Sequence, residues 1–388
     1  MKKTVLFFAA AAMLAGCAKN EVTPVENNGL TEITYETAPV TKALTGNETK
    51  FDDSNIFSSV AFYLENDKSW DWGATTPTVY IGSEASAGSG SYDGVTVAKV
   101  GSDWVSAKKN NAGTAWEKDK AYYWPKKGKL TFFSWSLNST SLAFPTGSNA
   151  EVTCVPSEGI LLNGFDIDVN KNVDFMVADV AKDKDANESV YKTISGVEKG
   201  VPTLFRHKFS RLYFTAKKKE DYNGVTFTIN SIEFKNLADN ANYAQHSSVT
   251  SEETMTAWPI SMTKSDQTYT SGITQEVTTT EQPVTQNGQY IYLPQTFSDD
   301  SQTVEIKYTV EYDTDGDGTV DVTETITETK KLSDLFKDTT TTPAGDSKWE
   351  MGKKYTLDIT FALDEILWDP AVQDWISTDA ESKDVDVK

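Results

Sequence analysis

Short runs in which apolar and polar residues alternate recur along most of the chain, separated by clusters of Gly, Asn, Asp and Pro. Val60-Ala61-Phe62-Tyr63-Leu64, Leu130-Thr131-Phe132-Phe133-Ser134-Trp135 and Val225-Thr226-Phe227-Thr228-Ile229 are three of them. Thr303-Val304-Glu305-Ile306-Lys307-Tyr308 and Tyr355-Thr356-Leu357-Asp358-Ile359-Thr360-Phe361 are two more. A period of two places alternate side chains on one face of a pleated strand, and the Thr, Val, Tyr and Phe that dominate suit such a half-buried surface. From Leu30 onward no stretch holds a convincing helical period, although Asp174 to Ala181 fits either a strand or a short helix. Strands this short and this evenly punctuated predict an all-β protein built from sandwiches. The polar stretch from Lys182 to Gly200 separates two strand-rich halves, as a connector would. A second series opens with Val201, Leu204, Phe205, Phe209, Leu212 and Phe214, so the expected domains are 30–200 and 201–388. The Thr- and Gln-rich segment from Thr274 to Gln286 reads as a long surface excursion.

The first residues follow a different rule. Lys2 and Lys3 precede an apolar run from Val5 to Leu14, which ends in the small residues before Cys17. That is the layout of a secretory signal peptide, here residues 1–16. The run is too short to span a membrane, which takes about 20 apolar residues. Leu14-Ala15-Gly16-Cys17 resembles the lipobox of bacterial lipoproteins, which implies cleavage before Cys17, lipidation of that residue and an outer-membrane anchor at the cell surface. Residues 17–29, polar and carrying Pro24, read as the lipidated tether. With Cys17 consumed by lipid, Cys154 has no partner for an intramolecular disulfide, and stability must come from a core.

Composition narrows the classes. The chain has 388 residues, 38% hydrophobic and 24% charged, which suits a globular protein long enough for two domains. A net charge of −21 argues against nucleic acid as a partner, because binding it requires phosphates to be neutralised in bulk. Catalysis is not expected. His207 and His246 are the two histidines, Cys154 has no histidine near it in sequence, and neither a phosphate-binding glycine loop nor zinc-ligand spacing occurs. The most distinct chemical motif is residues 313–324, with Asp313, Asp315, Asp317, Gly318 and Glu324 at calcium-loop positions 1, 3, 5, 6 and 12. Carboxylates at that spacing can converge on calcium, with Asp313, Asp315, Asp317 and Asp321 the candidate ligands. The flanks are strand-like rather than helical, so the same residues equally fit an exposed hairpin tip whose Asp-Gly pairs make a tight turn. Trp70 and Trp72, on a polar stretch, are candidate platforms for sugar rings or packing residues.

A set of motifs in fixed order carries a family resemblance. Val40-Thr41-Lys42-Ala43 is followed by Ala121-Tyr122-Tyr123-Trp124-Pro125, then Leu204-Phe205-Arg206-His207-Lys208-Phe209-Ser210-Arg211-Leu212. Ile229-Asn230-Ser231-Ile232-Glu233-Phe234, Tyr292-Leu293-Pro294-Gln295, Trp349-Glu350-Met351-Gly352-Lys353-Lys354-Tyr355 and Trp368-Asp369-Pro370 complete it. Together they resemble the fimbrillin family of type V pilus subunits. The resemblance implies two tandem transthyretin-like β-sandwiches, export as a lipoprotein and a place as stalk, tip or anchor of a fimbria. It further implies that a protease removes the leading strand, here between Leu30 and Pro39 with Ile33 and Tyr35 facing inward. A strand from another pilin subunit then takes its place, and the finished fimbria meets a host or bacterial surface receptor. The cleavage candidates are Lys42 and, second, Lys50. The family usually has arginine at this point, whereas the two arginines here, Arg206 and Arg211, lie in a strand expected to be buried on one face. The rival reading, from another class, is a glycan-binding surface lipoprotein.

Overall fold

The computed structural model describes residues 31–37, 51–72, 76–146, 148–166, 173–186, 200–246, 263–268, 274–284, 290–337, 347–363 and 365–374. Cys17, Lys42 and Lys50 lie outside these residues. The fold is all-β, and among the described residues a single four-residue helical turn, Leu332–Leu335, accompanies the strands. The alternating runs become strands whose inward positions supply the core. In Lys353–Phe361, for example, Tyr355, Leu357, Ile359 and Phe361 are buried while the residues between them are half-exposed.

The first half is organised round one large sheet. Its order runs Val201–Thr203, Tyr35–Thr37, Asp103–Lys109, Val95–Val100, Phe57–Leu64, Lys129–Ser136, Met176–Ala178, Phe205–His207. The two ends of that order, Val201–Thr203 and Phe205–His207, are separated in the chain by Leu204 alone. The sheet therefore bends round until its first and last strands are consecutive, and it closes on an apolar interior. Phe57, Trp104, Leu130, Phe132, Met176, Val201 and Phe205 fill that interior.

The outer face of the same sheet is covered by a second one. Val60, Phe62, Phe133 and Trp135 pack there against Ile160, Leu162 and Phe165 of Gly159–Asp166 and against Ala238, Ala241 and Tyr243. This explains why Phe57–Leu64 and Lys129–Ser136 are buried on both faces and read as nearly continuous apolar runs.

Val225–Ala244, 20 residues long, joins the halves. Its first part pairs with Thr303–Tyr312 and its last part with Gly159–Asp166. Register shifts and the positive φ of Asn236 (56°) bend it in between. Beyond it, Thr303–Tyr312 and Val322–Lys331 form a long hairpin. A smaller sheet of Gln282–Pro283, Tyr290–Tyr292, Ser210–Lys218, Lys353–Phe361 and Ile366–Asp374 stacks over the hairpin's inner face through Phe214, Phe227, Ile306, Tyr308, Leu357 and Phe361. The segment expected as a surface excursion is partly structural. Val277 and Val284 are buried, and Gln275–Glu276 and Gln282–Pro283 pair with neighbouring strands. Residues 174–181, open between strand and helix on sequence, hold the strand Met176–Ala178.

Candidate functional site

The leading strand occupies a slot in the wall of the closed sheet. Tyr35–Thr37 runs parallel to Val201–Thr203 on one side, and Tyr35 faces Trp104 in an antiparallel bridge on the other. Upstream, the Ile33 amide donates to the Tyr122 carbonyl (2.8 Å), the Trp124 amide to Thr31 (3.0 Å) and the Val201 amide to Thr34 (2.7 Å). Lys118 Nζ lies 3.1 Å from Glu32. Pairing with Val201–Thr203 and bridges to Trp104 and Tyr123 hold the segment, although Pro202, opposite Glu36, has no amide to donate.

Its side chains add to this hold. Ile33 is 3% and Tyr35 4% exposed, and both belong to the interior cluster. The Tyr35 ring meets Phe57 at 5.4 Å and Phe132 at 6.0 Å, edge to face in both cases. Burial pushes its phenol pKa up, with the nearby Ser59 side chain opposing the rise, and its hydroxyl has no partner in good hydrogen-bonding geometry among the described residues. Burying an Ile and a Tyr is worth roughly 2–3 kcal/mol each. Stripping the strand away would open that much apolar wall to water.

Residues that sequence reasoning did not single out shape the slot. Gly200 sits at φ +72° directly over the strand, where a Cβ would lie 2.5 Å from the Tyr35 carbonyl carbon and 2.8 Å from that of Thr34. In the sequence Gly200 is only the end of a polar connector. Trp104 supplies the opposite wall, and nothing in the spacing of Trp104 and Tyr35 announces that they meet. The two arginines are both committed. Arg206 makes a two-pronged pair with Asp179 (2.7 and 2.8 Å), and Arg211 is 2% exposed.

The calcium-loop motif forms the tip of the long hairpin. Carboxylate oxygens of Asp313, Asp315 and Asp317 lie within 4.8 Å of one another. Each also accepts backbone amides: Asp313 from Gly316 (2.7 Å) and Gly318 (2.9 Å), Asp315 from Asp317 (3.1 Å), Asp317 from Thr319 (2.7 Å). Asp321 accepts from the Thr314 amide (2.8 Å) and hydroxyl (2.5 Å), which hold its pKa below the usual carboxylate range. Gly316 and Gly318 take the positive φ that such a turn requires. Glu324 lies in the returning strand Val322–Lys331, away from the three.

The remaining candidates pack. Trp70 is buried in the core, while Trp72 stacks on His246 (4.3 Å, 10°) with the Lys182 ammonium 5.5 Å from its ring. His207 is fully buried, its Nδ1 2.9 Å from Asp174 Oδ1. Asp174 Oδ2 accepts from Asn138, whose carbonyl accepts from Asn55, so the chain of polar groups ties three loops together.

The chain is all-β, with its leading segment seated between two strands of the first sheet. The model of the Fimbrillin-like family matches residues 91–375. The chain belongs to that family. It is similar to the crystal structure of a fimbrial protein from Bacteroides vulgatus, with 14% identity, 89% of this chain and 99% of that one covered, and a TM-score of 0.54. It is also similar to the tip fimbrial protein Mfa3 from Porphyromonas gingivalis with C-terminal truncation, at 10% identity, 84% and 98% coverage and a TM-score of 0.34. No curated protein matches the chain.

Proposed function

We propose that this protein is a structural subunit of a surface fimbria, joined to its neighbours when the leading strand is cut away and a strand from another copy or pilin fills the slot. Family membership supports the fimbrial role. The observation that carries the exchange step is the slot itself: Ile33 and Tyr35 plug an apolar interior from a short segment seated between two strands. An incoming strand with apolar residues two apart would restore both the pairing and the burial. Ile366–Asp374 offers that pattern, with Ile366 and Trp368 on its core face, and it is the outermost strand of its sheet. Lys353–Phe361 is unsuited, since it is paired on both sides and its removal would empty the second core.

Lys42 is the proposed cut, with Lys50 second, because Arg206 and Arg211 are paired or buried. Lipid on Cys17 would hold the uncut chain at the outer membrane, and an exposed fimbria suits attachment to a host or bacterial receptor. The expected division near residue 200 would make two transthyretin-like units, with Val201–Thr203 and Phe205–His207 seated in the sheet of the first. Limited trypsin digestion tests the reading. A discrete new N-terminus at Ala43, followed by SDS-resistant ladders, is expected. Intact protein that never polymerises, with a lipid-modified Cys17 retained on cells, would restrict it to an anchor. Retention on a polysaccharide column without any cut or ladder would favour the glycan-binding reading instead.

A second proposal concerns the hairpin tip. The convergence of Asp313, Asp315 and Asp317 supports a weak calcium site completed by Asp321. Titration calorimetry should show calcium binding that Asp315→Asn abolishes, and no heat from the parent protein would end this proposal.

A further inference from the structure

Charge is distributed very unevenly along this acidic chain. Residues 99–129 hold eight lysines against three acids, an excess of five positive charges in a protein of net charge −21. The fold gathers this segment round the slot. Asp103–Lys109 is the strand beside the leading one, Trp116–Lys118 pairs with it and has no further partner strand among the described residues, and Tyr122 and Trp124 bond the leading segment directly. Lys108, Lys109, Lys118 and Lys120 are exposed on this lip, and Lys126 and Lys127 are exposed just beyond Trp124 in the chain. Lys109 lies over Trp116 (4.2 Å), Lys120 over Tyr122 (5.1 Å), and Lys108 and Lys118 pair with Asp119 and Glu32.

The opposite extreme lies in the other half. Residues 308–329 carry seven acids and no lysine or arginine. They form most of the long hairpin, whose outer strand Val322–Lys331 has no further partner strand among the described residues. Large hydrophobics stand exposed here too, with Val320 at 47% and Val322 at 44%. The lip offers half-exposed Trp116, Tyr122 and Tyr123 in return.

We propose that the basic lip round the leading-strand slot docks the acidic hairpin of a second copy of this chain. The inference rests on the fimbrial reading and names the surface that brings one subunit's far half to the next subunit's slot. Two outer strands of opposite charge, each with apolar side chains among the charges, fit each other better than either fits itself. Because the two surfaces differ, the contact is head to tail, and repetition gives an open filament rather than a closed dimer. Opposite fields would steer the approach and fix orientation before any strand exchanges. Net self-repulsion between whole subunits opposes other orientations. Anionic lipid is the competing occupant of a basic face, and the acidic hairpin is favoured because its complement is present on the same molecule.

The test uses sedimentation velocity of the full chain, uncut, at about 50 mM and about 500 mM NaCl, where the screening length falls severalfold. Reversible association at low salt, lost at high salt, is expected. A lip variant (Lys109→Glu with Lys120→Glu) and a tip variant (Asp315→Lys with Asp317→Lys) should each associate at least about tenfold more weakly. Mixing the two variants should restore association, since each then meets a complementary surface. Unfolding curves matching the parent would show that both variants fold. Association indifferent to both variants, a symmetric dimer, or binding to phosphatidylglycerol vesicles with no self-association at either salt would overturn the proposal. If trypsin-cut variants form ladders at the parent's rate, the fimbrial reading stands and this interface falls.

Discussion

Tyr35 shows how much one side chain can add to the hold on a segment by packing. Its ring is edge-on to Phe57 and Phe132, while its hydroxyl is buried without a partner in good hydrogen-bonding geometry. Tyr35→Phe keeps the ring contacts and removes the unmatched polar atom, so chemical denaturation should show equal or higher stability, by up to about 1 kcal/mol. Tyr35→Ala should cost roughly 3–5 kcal/mol, or release the segment altogether. Lys208 poses the converse problem, a charge in the interior. Burial pushes its pKa down to about 8 from 10.5, with the Asp179 carboxylate opposing and Arg206 adding to the fall. Between those values the unfolded chain binds the proton and the folded one does not, so stability from this group rises with pH across the window. From pH 8 to about 9.5 the gain should be roughly 2 kcal/mol and should be missing in Lys208→Met. Stopping below the ordinary tyrosine range keeps Tyr35 and Tyr243, whose buried phenols are pushed up, out of the comparison.

Among the elements, the leading strand is the one whose seating can be tested without a protease. Any side chain at Gly200 would collide with the backbone of Thr34 and Tyr35 and would be strained at its positive φ. Gly200→Val should therefore unseat residues 31–37 while the rest of the wall stays folded. Hydrogen exchange would read this as faster exchange at the Ile33 and Val201 amides, with Phe57–Leu64 unchanged. Protection at Ile33 equal to the parent's would show the slot more tolerant than the geometry allows. How far this site could be read from sequence follows the range of each signal. Alternation is local, so the strands at Phe57–Leu64, Lys129–Ser136 and Lys353–Phe361 were visible in the pattern of side chains. Closure of the wall is not local: it depends on Val201–Thr203 reaching Tyr35 across more than 160 residues, and no periodicity records that. Val277 and Val284 were hidden for a related reason, because single apolar residues among Thr and Gln give no period. The Asp-Gly repeat, by contrast, specified its turn directly, since few residues other than glycine accept its φ angles cheaply.

At the scale of the whole molecule, the apolar clusters do not respect the midpoint of the chain. The cluster on the outer face of the first sheet combines Phe62 and Phe133 with Ala241, Ile291 and Met351. A chain stitched in this way should unfold as one unit. Calorimetry is expected to give a single transition with matching calorimetric and van't Hoff enthalpies, whereas two separated peaks would mean that the shared cluster contributes little.

The ribbon from Val225 to Ala244 has a mechanical consequence. At about 3.3 Å per residue it extends roughly 65 Å, covalently continuous from the slot-bearing half into the hairpin-bearing one. A subunit tugged at its two ends would transmit tension along this one polypeptide, flanked on each side by ladders that slide rather than peel. A fibre of such units in flowing liquid would flex at the joints between copies, and each link would stay stiff.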